Sequence, residues 1–227
     1  MKKTSADTPS FTPGPKKTAR ICVARHGETD WNSAGILQGW LDVPLNDRGR
    51  AQARELAASL ADDGLRSVVT SPLLRARETA EIVAGCLGLP APASHDGLKE
   101  RHFGVIQGIP KDELVQLNPA LYQQILSRNP ASIFDDGETM DAFADRVLAA
   151  LGAIADEHAG ARALVIAHGW VMDVVTRHVH GLPRRTVLQR KPQNIDRLWL
   201  EATRETARPA EADRPAFDGR APASRCV

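Results

Sequence analysis

Between residues 19 and 202 the apolar positions switch repeatedly between the alternation of a strand and the three-and-four spacing of a helix. Short runs rich in β-branched residues at 21–24, 67–70, 164–167 and 198–200 read as strands. Helical patterns lie between them. From Asn46 as a cap, the stretch to Gly64 sets Ala53, Leu56, Ala57 and Leu60 on one face and stops at the glycine. The patterns at 74–87, at 140–157 (Phe143, Val147, Leu151 and Ile154 on one stripe) and at 170–179 are of the same kind. Pro72 falls near the start of the second helix, a favoured place for proline. Strands alternating with helices predict right-handed βαβ units, hence an α/β fold: a three-layer αβα sandwich around a mainly parallel sheet. In such sheets ligands bind beyond the carboxyl ends of the strands.

The two ends lack this patterning. Residues 1–18 and 203–227 are rich in Pro, Ser, Thr and charged residues, so both are expected to be disordered tails around one domain at 19–202. The apolar runs are too short to span a membrane, and the first residues carry no apolar stretch behind their lysines. A cytoplasmic protein is therefore expected. Lys and Arg total 29 against 28 Asp and Glu, a net charge of +1, which gives no reason to expect nucleic acid or a membrane surface as partner. Cys22, Cys86 and Cys226 have neither metal-ligand spacing nor a disulfide framework. The first two sit in apolar patterns and are expected in the core. The acidic run Asp135, Asp136, Glu138, Asp141 lacks the spacing of a calcium loop, and no Gly-rich loop ending in Gly-Lys-Ser/Thr is present.

The chemistry follows from an echo. "CVARHG" at 22–27 and "LVIAHG" at 164–169 both run from a strand into His-Gly. If those strands are neighbours, His26 and His168 share one crevice, where Gly27 and Gly169 let the backbone approach a ligand. A helix beginning at Trp170 would aim its free N–H groups at an anion there. A third strand end, "VVTSPLLRARETA", brings Arg75 and Arg77, and Arg25 precedes His26. Guanidiniums and imidazoles converging on one place suit phosphate. Glu100 in "LKERHFG" is the candidate proton donor. In this scheme an unprotonated nitrogen of His26 attacks phosphorus while Arg25, Arg75 and His168 stabilise the equatorial oxygens. Neither metal nor cofactor is required. Burial raises the Glu100 pKa and the arginines lower it, with the balance open at this level.

The ordered motifs resemble the histidine phosphatase superfamily, also called phosphoglycerate mutase-like. They are "RHGET" at 25–29, Asn32, "LQGWLDVPLNDRGRAQA" at 37–53, "SPLLRARETA" at 71–80, "LKERHFGVIQG" at 98–108, "GETMDAFADR" at 137–146 and "AHG" at 167–169, spanning about residues 20–200. The resemblance implies that His26 is the phosphorylated nucleophile, that Arg25, Arg75 and His168 hold the phosphate, and that Glu100 is the acid/base. It places Asn32, Gln38 and Gly39 around the phosphate pocket.

Within the superfamily, the short span from Glu100 to His168 and the "LQGW" of Gln38 resemble the phosphatases. The arginine pair that grips a carboxylate in the mutases has no counterpart, the insert offering only Lys111 and Arg128. "ERHFG" resembles the mutase "ERHYG", so Arg101 and His102 are candidates to meet a carboxylate-bearing substrate. The expected activity is a metal-independent phosphomonoesterase of the histidine acid phosphatase type, acting on a small phosphate ester. The alternatives are a cofactor-dependent phosphoglycerate mutase and a non-catalytic phosphate-binding regulator. The sequence leaves the individual ester and the oligomeric state, a homodimer included, open.

Overall fold

The computed structural model describes residues 17–210. Strands β1 (Ala19–Arg25) and β4 (Arg162–Ala167) run parallel in the middle of a six-stranded sheet, with Arg25 opposite Ala167. On one side of them β2 (Ser67–Thr70) pairs parallel with β4, and β3 (Ala93–Ser94) extends that edge. On the other side β5 (Arg197–Ala202) lies antiparallel to β1 and β6 (Ala207–Pro209) antiparallel to β5. The two central strands read as unbroken apolar runs because both of their faces are covered. Ile21, Val23, Val165 and Ala167 enter one core, while Cys22, Ala24, Leu164 and Ile166 enter the other.

Helix α1 (Asp30–Ser33) is a single turn after β1. Helices α2 (Asp47–Ser59) and α3 (Leu74–Leu87) seal the second core. Two short helices, α4 (Lys111–Leu117) and α5 (Pro119–Leu126), form an excursion before α6 (Met140–Glu157), which with α7 (Gly169–Val179) seals the first. The result is the expected three-layer sandwich. Among the described residues no helix is long and apolar enough to cross a membrane.

Several local expectations are corrected. Helix α2 stops at Ser59, whose hydroxyl bonds the Leu56 carbonyl at 2.7 Å, so residues 61–64 form a turn instead of a last helical turn. Helix α3 spans Leu74–Leu87 as expected, but Pro72 lies before its cap and outside the helix. The cap comes from a distance, with Asp42 Oδ1 accepting the Leu74 N–H at 2.8 Å. Cys86 is exposed while Cys22 is buried. Helices α4 and α5 had no clear signal apart from Asn118-Pro119, in which Asn118 caps α5 and proline takes its first position. Part of the expected C-terminal tail is ordered: residues 203–206 turn the chain back and β6 pairs with β5, with Ala210 packed in the core. That hairpin is held by backbone pairing, which composition does not reveal. The expected tails at 1–16 and 211–227 lie outside the described residues.

Candidate active site

The register of β1 against β4 brings both His-Gly turns to the same sheet end, and the rings of His26 and His168 face each other with centroids 5.2 Å apart. Both are buried, at 2% and 0% exposure. His26 Nδ1 lies 2.6 Å from the Gly27 carbonyl oxygen. A carbonyl only accepts, so Nδ1 carries the proton and Nε2 presents a lone pair. The ring stays neutral, because burial, then Arg75 and Arg25, hold its pKa well below the usual histidine value, with the Gly27 bond opposing them. His168 Nε2 lies 2.7 Å from Ser71 Oγ. That hydroxyl oxygen also accepts the Leu73 N–H at 3.3 Å, and where its own hydrogen goes to Nε2 the His168 proton sits on Nδ1. His168 is likewise held well below the usual range, first by burial and then by Arg75, His26 and Arg25.

Arg75 is 1% exposed and bonds the carbonyls of Gly39 at 2.8 Å and Leu41 at 3.0 Å, pinning the loop that carries Gln38. Gly39 sits at φ +51, a left-handed conformation that glycine adopts without strain. Arg25 donates to the Pro192 carbonyl at 2.8 Å. Burial, as the leading cause, lowers both guanidiniums to about 10, so they stay charged at neutral pH. Among the described residues, the Nε of Arg25, the Nε of Arg75 and Nδ1 of His168 are buried without an acceptor. Buried donors are rarely left unpaired, and a cluster of them around two neutral imidazoles fits an anion.

Glu100 closes the site at 8% exposure. Its oxygens accept the N–H of Arg101 at 2.9 Å and of Trp170, in the first turn of α7, at 3.3 Å. The helix N-terminus expected to meet a ligand is thus turned on the acid. Burial wins over Arg128, the Arg101 N–H and Arg75, and the Glu100 pKa is raised. This resolves the balance left open above.

Arg25, His26, Arg75, Glu100, His168 and Gly169 therefore converge, and Asn32, Gln38 and Gly39 border them. Asn32 Oδ1 accepts the Thr29 N–H at 3.2 Å, closing a capping box at α1. Gln38 is 7% exposed, and its side-chain oxygen has no partner among the described residues. Gly27 serves packing more than ligand approach, since a Cβ there would overlap the Gly49 carbonyl. Arg77 points outward.

Arg101 departs from its expected place. Its guanidinium is fully buried, bonds the carbonyls of Ser132 at 2.7 Å and Glu138 at 3.0 Å, and stacks over Phe134 and Trp170 at 4.5 and 5.1 Å. It anchors the loop before α6. His102 sits at the rim, edge-on to Trp40 at 4.9 Å, with Nδ1 3.1 Å from the Asp136 carbonyl. One residue at the site was missed, and Arg128 was named only as a cation of the insert. Asn194 Nδ2 donates to the His26 carbonyl at 2.9 Å, beside Ile195 at φ +59, a strained conformation for a β-branched residue. Arg128 reaches the site from the end of α5. Nothing local marks either one, because both arrive on loops from far along the chain.

Comparison with known proteins agrees with this geometry. Residues 21–212 match the family model described as the histidine phosphatase superfamily (branch 1). The chain is 41% identical to phosphoglycerate mutase-like protein 4 of Arabidopsis thaliana over 156 residues, 68% of either chain. It is 37% identical to the metal-independent phosphoserine phosphatase of the same plant, over 70% of this chain and 68% of the relative. Among solved structures, Bacillus stearothermophilus YhfR superposes with a TM-score of 0.77 at 31% identity, covering 87% of this chain and 98% of that one. Sheet order, paired histidines and family match together make the chain a member of the histidine phosphatase superfamily.

Proposed function

We propose that the chain is a phosphomonoesterase that hydrolyses a small phosphorylated metabolite through a phosphohistidine at His26. The observation that carries this reading is the 2.6 Å contact from His26 Nδ1 to the Gly27 carbonyl, which leaves Nε2 unprotonated next to donors without acceptors. Nε2 attacks phosphorus, an N–P bond forms, and the ester P–O bond breaks. Glu100, whose pKa is raised by its burial, gives its proton to the leaving oxygen. Arg25, Arg75 and the Nδ1–H of His168 stabilise the equatorial oxygens throughout. Water then attacks phosphorus, Glu100 takes its proton, and the N–P bond breaks to release phosphate and free His26.

The test is rapid-quench trapping with a radiolabelled phosphate ester in EDTA. An acid-labile, alkali-stable phosphoenzyme that disappears in His26→Ala is expected. Turnover without such an intermediate, or undiminished activity in His26→Ala, overturns the reading. Phosphorus NMR with 3-phosphoglycerate and a trace of the bisphosphate separates the nearest alternative. Free phosphate is expected, and rapid formation of 2-phosphoglycerate would make the protein a mutase.

A further inference from the structure

Away from the catalytic end of the sheet, a cavity of about 440 Å³ lies between α6 and α7, a volume in the range of small-molecule sites. Met140, Ala144 and Leu148, spaced by four along α6, form one wall. Val174, Arg177 and His178, spaced by three and four along α7, form the other, and Leu182 of the following turn adds to a lining that is mostly apolar. Arg177 stands two turns beyond Gly169, roughly 12 Å along the helix axis, so the cavity is separate from the phosphate pocket.

The guanidinium of Arg177 is the unexplained group in this wall. The neighbouring Arg184 is paired with Asp145 at 2.6 Å. Arg177 is 2% exposed and its Nε donates to the Thr186 carbonyl at 2.7 Å, but Nη1 and Nη2 are both buried with no acceptor among the described residues. Asp173, one turn earlier on α7, accepts the Arg128 Nε at 2.7 Å on Oδ2, and its Oδ1 is likewise without a partner, so the two groups stop short of each other. Leaving two donors of a buried cation unmet is costly. With Nε taken, the open edge is the Nη1 and Nη2 pair, whose parallel N–H bonds match the two oxygens of a carboxylate. A single guanidinium beside apolar walls suits one negative charge carried on a hydrocarbon body.

We propose that this cavity is a binding site for a monocarboxylate with an apolar tail, the carboxylate on Nη1 and Nη2 of Arg177 and the tail along Met140, Ala144 and Leu148. The site is independent of the phosphomonoesterase reading above and is not a substrate site.

The test is calorimetric titration of the full chain with decanoate, decanol and decyltrimethylammonium, each below its micelle concentration. Decanoate is expected to bind at a single site, roughly 10-fold or more tighter than decanol, the worth of a charge-assisted hydrogen-bond pair, with the ammonium weakest. Saturating orthovanadate, an anion for the phosphate pocket, leaves the decanoate affinity unchanged. In Arg177→Gln the preference for decanoate over decanol falls towards one. Because that substitution also removes the bond to Thr186, the place of binding is read separately in the unmodified protein. With the methionine methyls labelled, the Met140 resonance, assigned through Met140→Leu, shifts with decanoate, while that of Met172, which is outside the lining, stays. A decanoate affinity no better than that of decanol would show that the Arg177 edge is satisfied within the protein and would overturn the assignment. Displacement of decanoate by orthovanadate, an unmoved Met140 methyl, or an undiminished preference in folded Arg177→Gln would overturn it equally.

Discussion

Arg101 Nη2 reaches the Ser132 carbonyl at 2.7 Å, so the arginine next to the acid Glu100 ties down the loop that follows Arg128. A cation expected at the substrate is tied through Nε and Nη2 to backbone carbonyls, while its buried Nη1 has no partner among the described residues. Its guanidinium plane lies between the rings of Phe134 and Trp170, a geometry that lysine does not reproduce. Arg101→Ala leaves two buried carbonyls without their donor and is expected to cost about 2–4 kcal/mol. In thermal unfolding this should lower Tm by several degrees for a chain of this length, with Arg101→Lys recovering little of it. An Arg101→Ala protein of unchanged Tm and raised KM would return the residue to substrate binding.

The pH profile follows from opposite requirements on two buried groups. In the proposed reaction His26 must be neutral to attack, and its pKa lies below the ordinary value of 6.5, so the acid limb of kcat/KM falls below pH 6.5. Glu100 must be protonated to give its proton, and its pKa lies above 4.5, so the alkaline limb moves upward from there. A bell with its acid limb below pH 6.5 and its alkaline limb above pH 4.5 is expected for alkyl esters. Glu100→Gln should cut their turnover by roughly 10²–10⁴-fold and abolish the alkaline limb, with a smaller loss for aryl phosphates, whose leaving groups need no proton. Stopped assays across pH check both limbs.

The same carboxyl has an effect on stability whose sign is set by linkage. A folded pKa raised above the unfolded value contributes stability that is full below the unfolded pKa and is lost as pH rises through the folded one. Glu100→Gln, neutral at every pH, should therefore raise Tm at neutral pH and lose that advantage towards pH 4. His26 and His168 act the other way. Their lowered pKa values contribute stability above about pH 6.5 that is lost as pH falls towards the folded values. Melting curves of the two proteins from pH 4 to pH 8 separate these contributions.

Gly49 sits in the first turn of α2, where alanine would ordinarily gain about 1 kcal/mol in helix propensity. Here a Cβ would overlap the Glu28 carbonyl, and the Gly27 backbone packs against the same spot. Gly49→Ala should therefore lower Tm and reduce activity together, since the nucleophile turn must shift to admit it. A higher Tm would show that the contact relaxes freely.

Asn194 secures the other side of that turn through the His26 carbonyl. Asn194→Ala is expected to lower kcat/KM by roughly 10-fold or more through misplacement of the imidazole, with kcat falling more than KM rises. Asn194→Asp, which keeps an acceptor but loses the amide donor, should not rescue it.

The sheet, the helices that seal it and the convergence of His26, His168, Arg25, Arg75 and Glu100 were legible because strand alternation, helix period and the carboxyl-end rule act locally or through one simple topology. Helix α6 came out residue for residue because its stripe is long. Short helices α4 and α5 did not, because two turns carry too little periodicity. Strand β6 escaped because pairing with β5, not apolar content, holds it. Asn194, Arg128 and the interior role of Arg101 depend on which loop touches which. A chain-level pattern places a charged residue on a loop without saying whether it faces ligand or backbone carbonyls.

The pairing of Arg25 with Ala167 across β1 and β4 has a consequence for assembly. The two imidazoles come from opposite ends of the domain, so no short contiguous stretch of the chain contains both. The paired imidazoles have no local precursor and meet only when β1 and β4 pair across a long stretch of chain, the slow kind of event in a folding reaction. Recovery of turnover during refolding is then a clock for that pairing, and partly folded species with native helices remain catalytically silent.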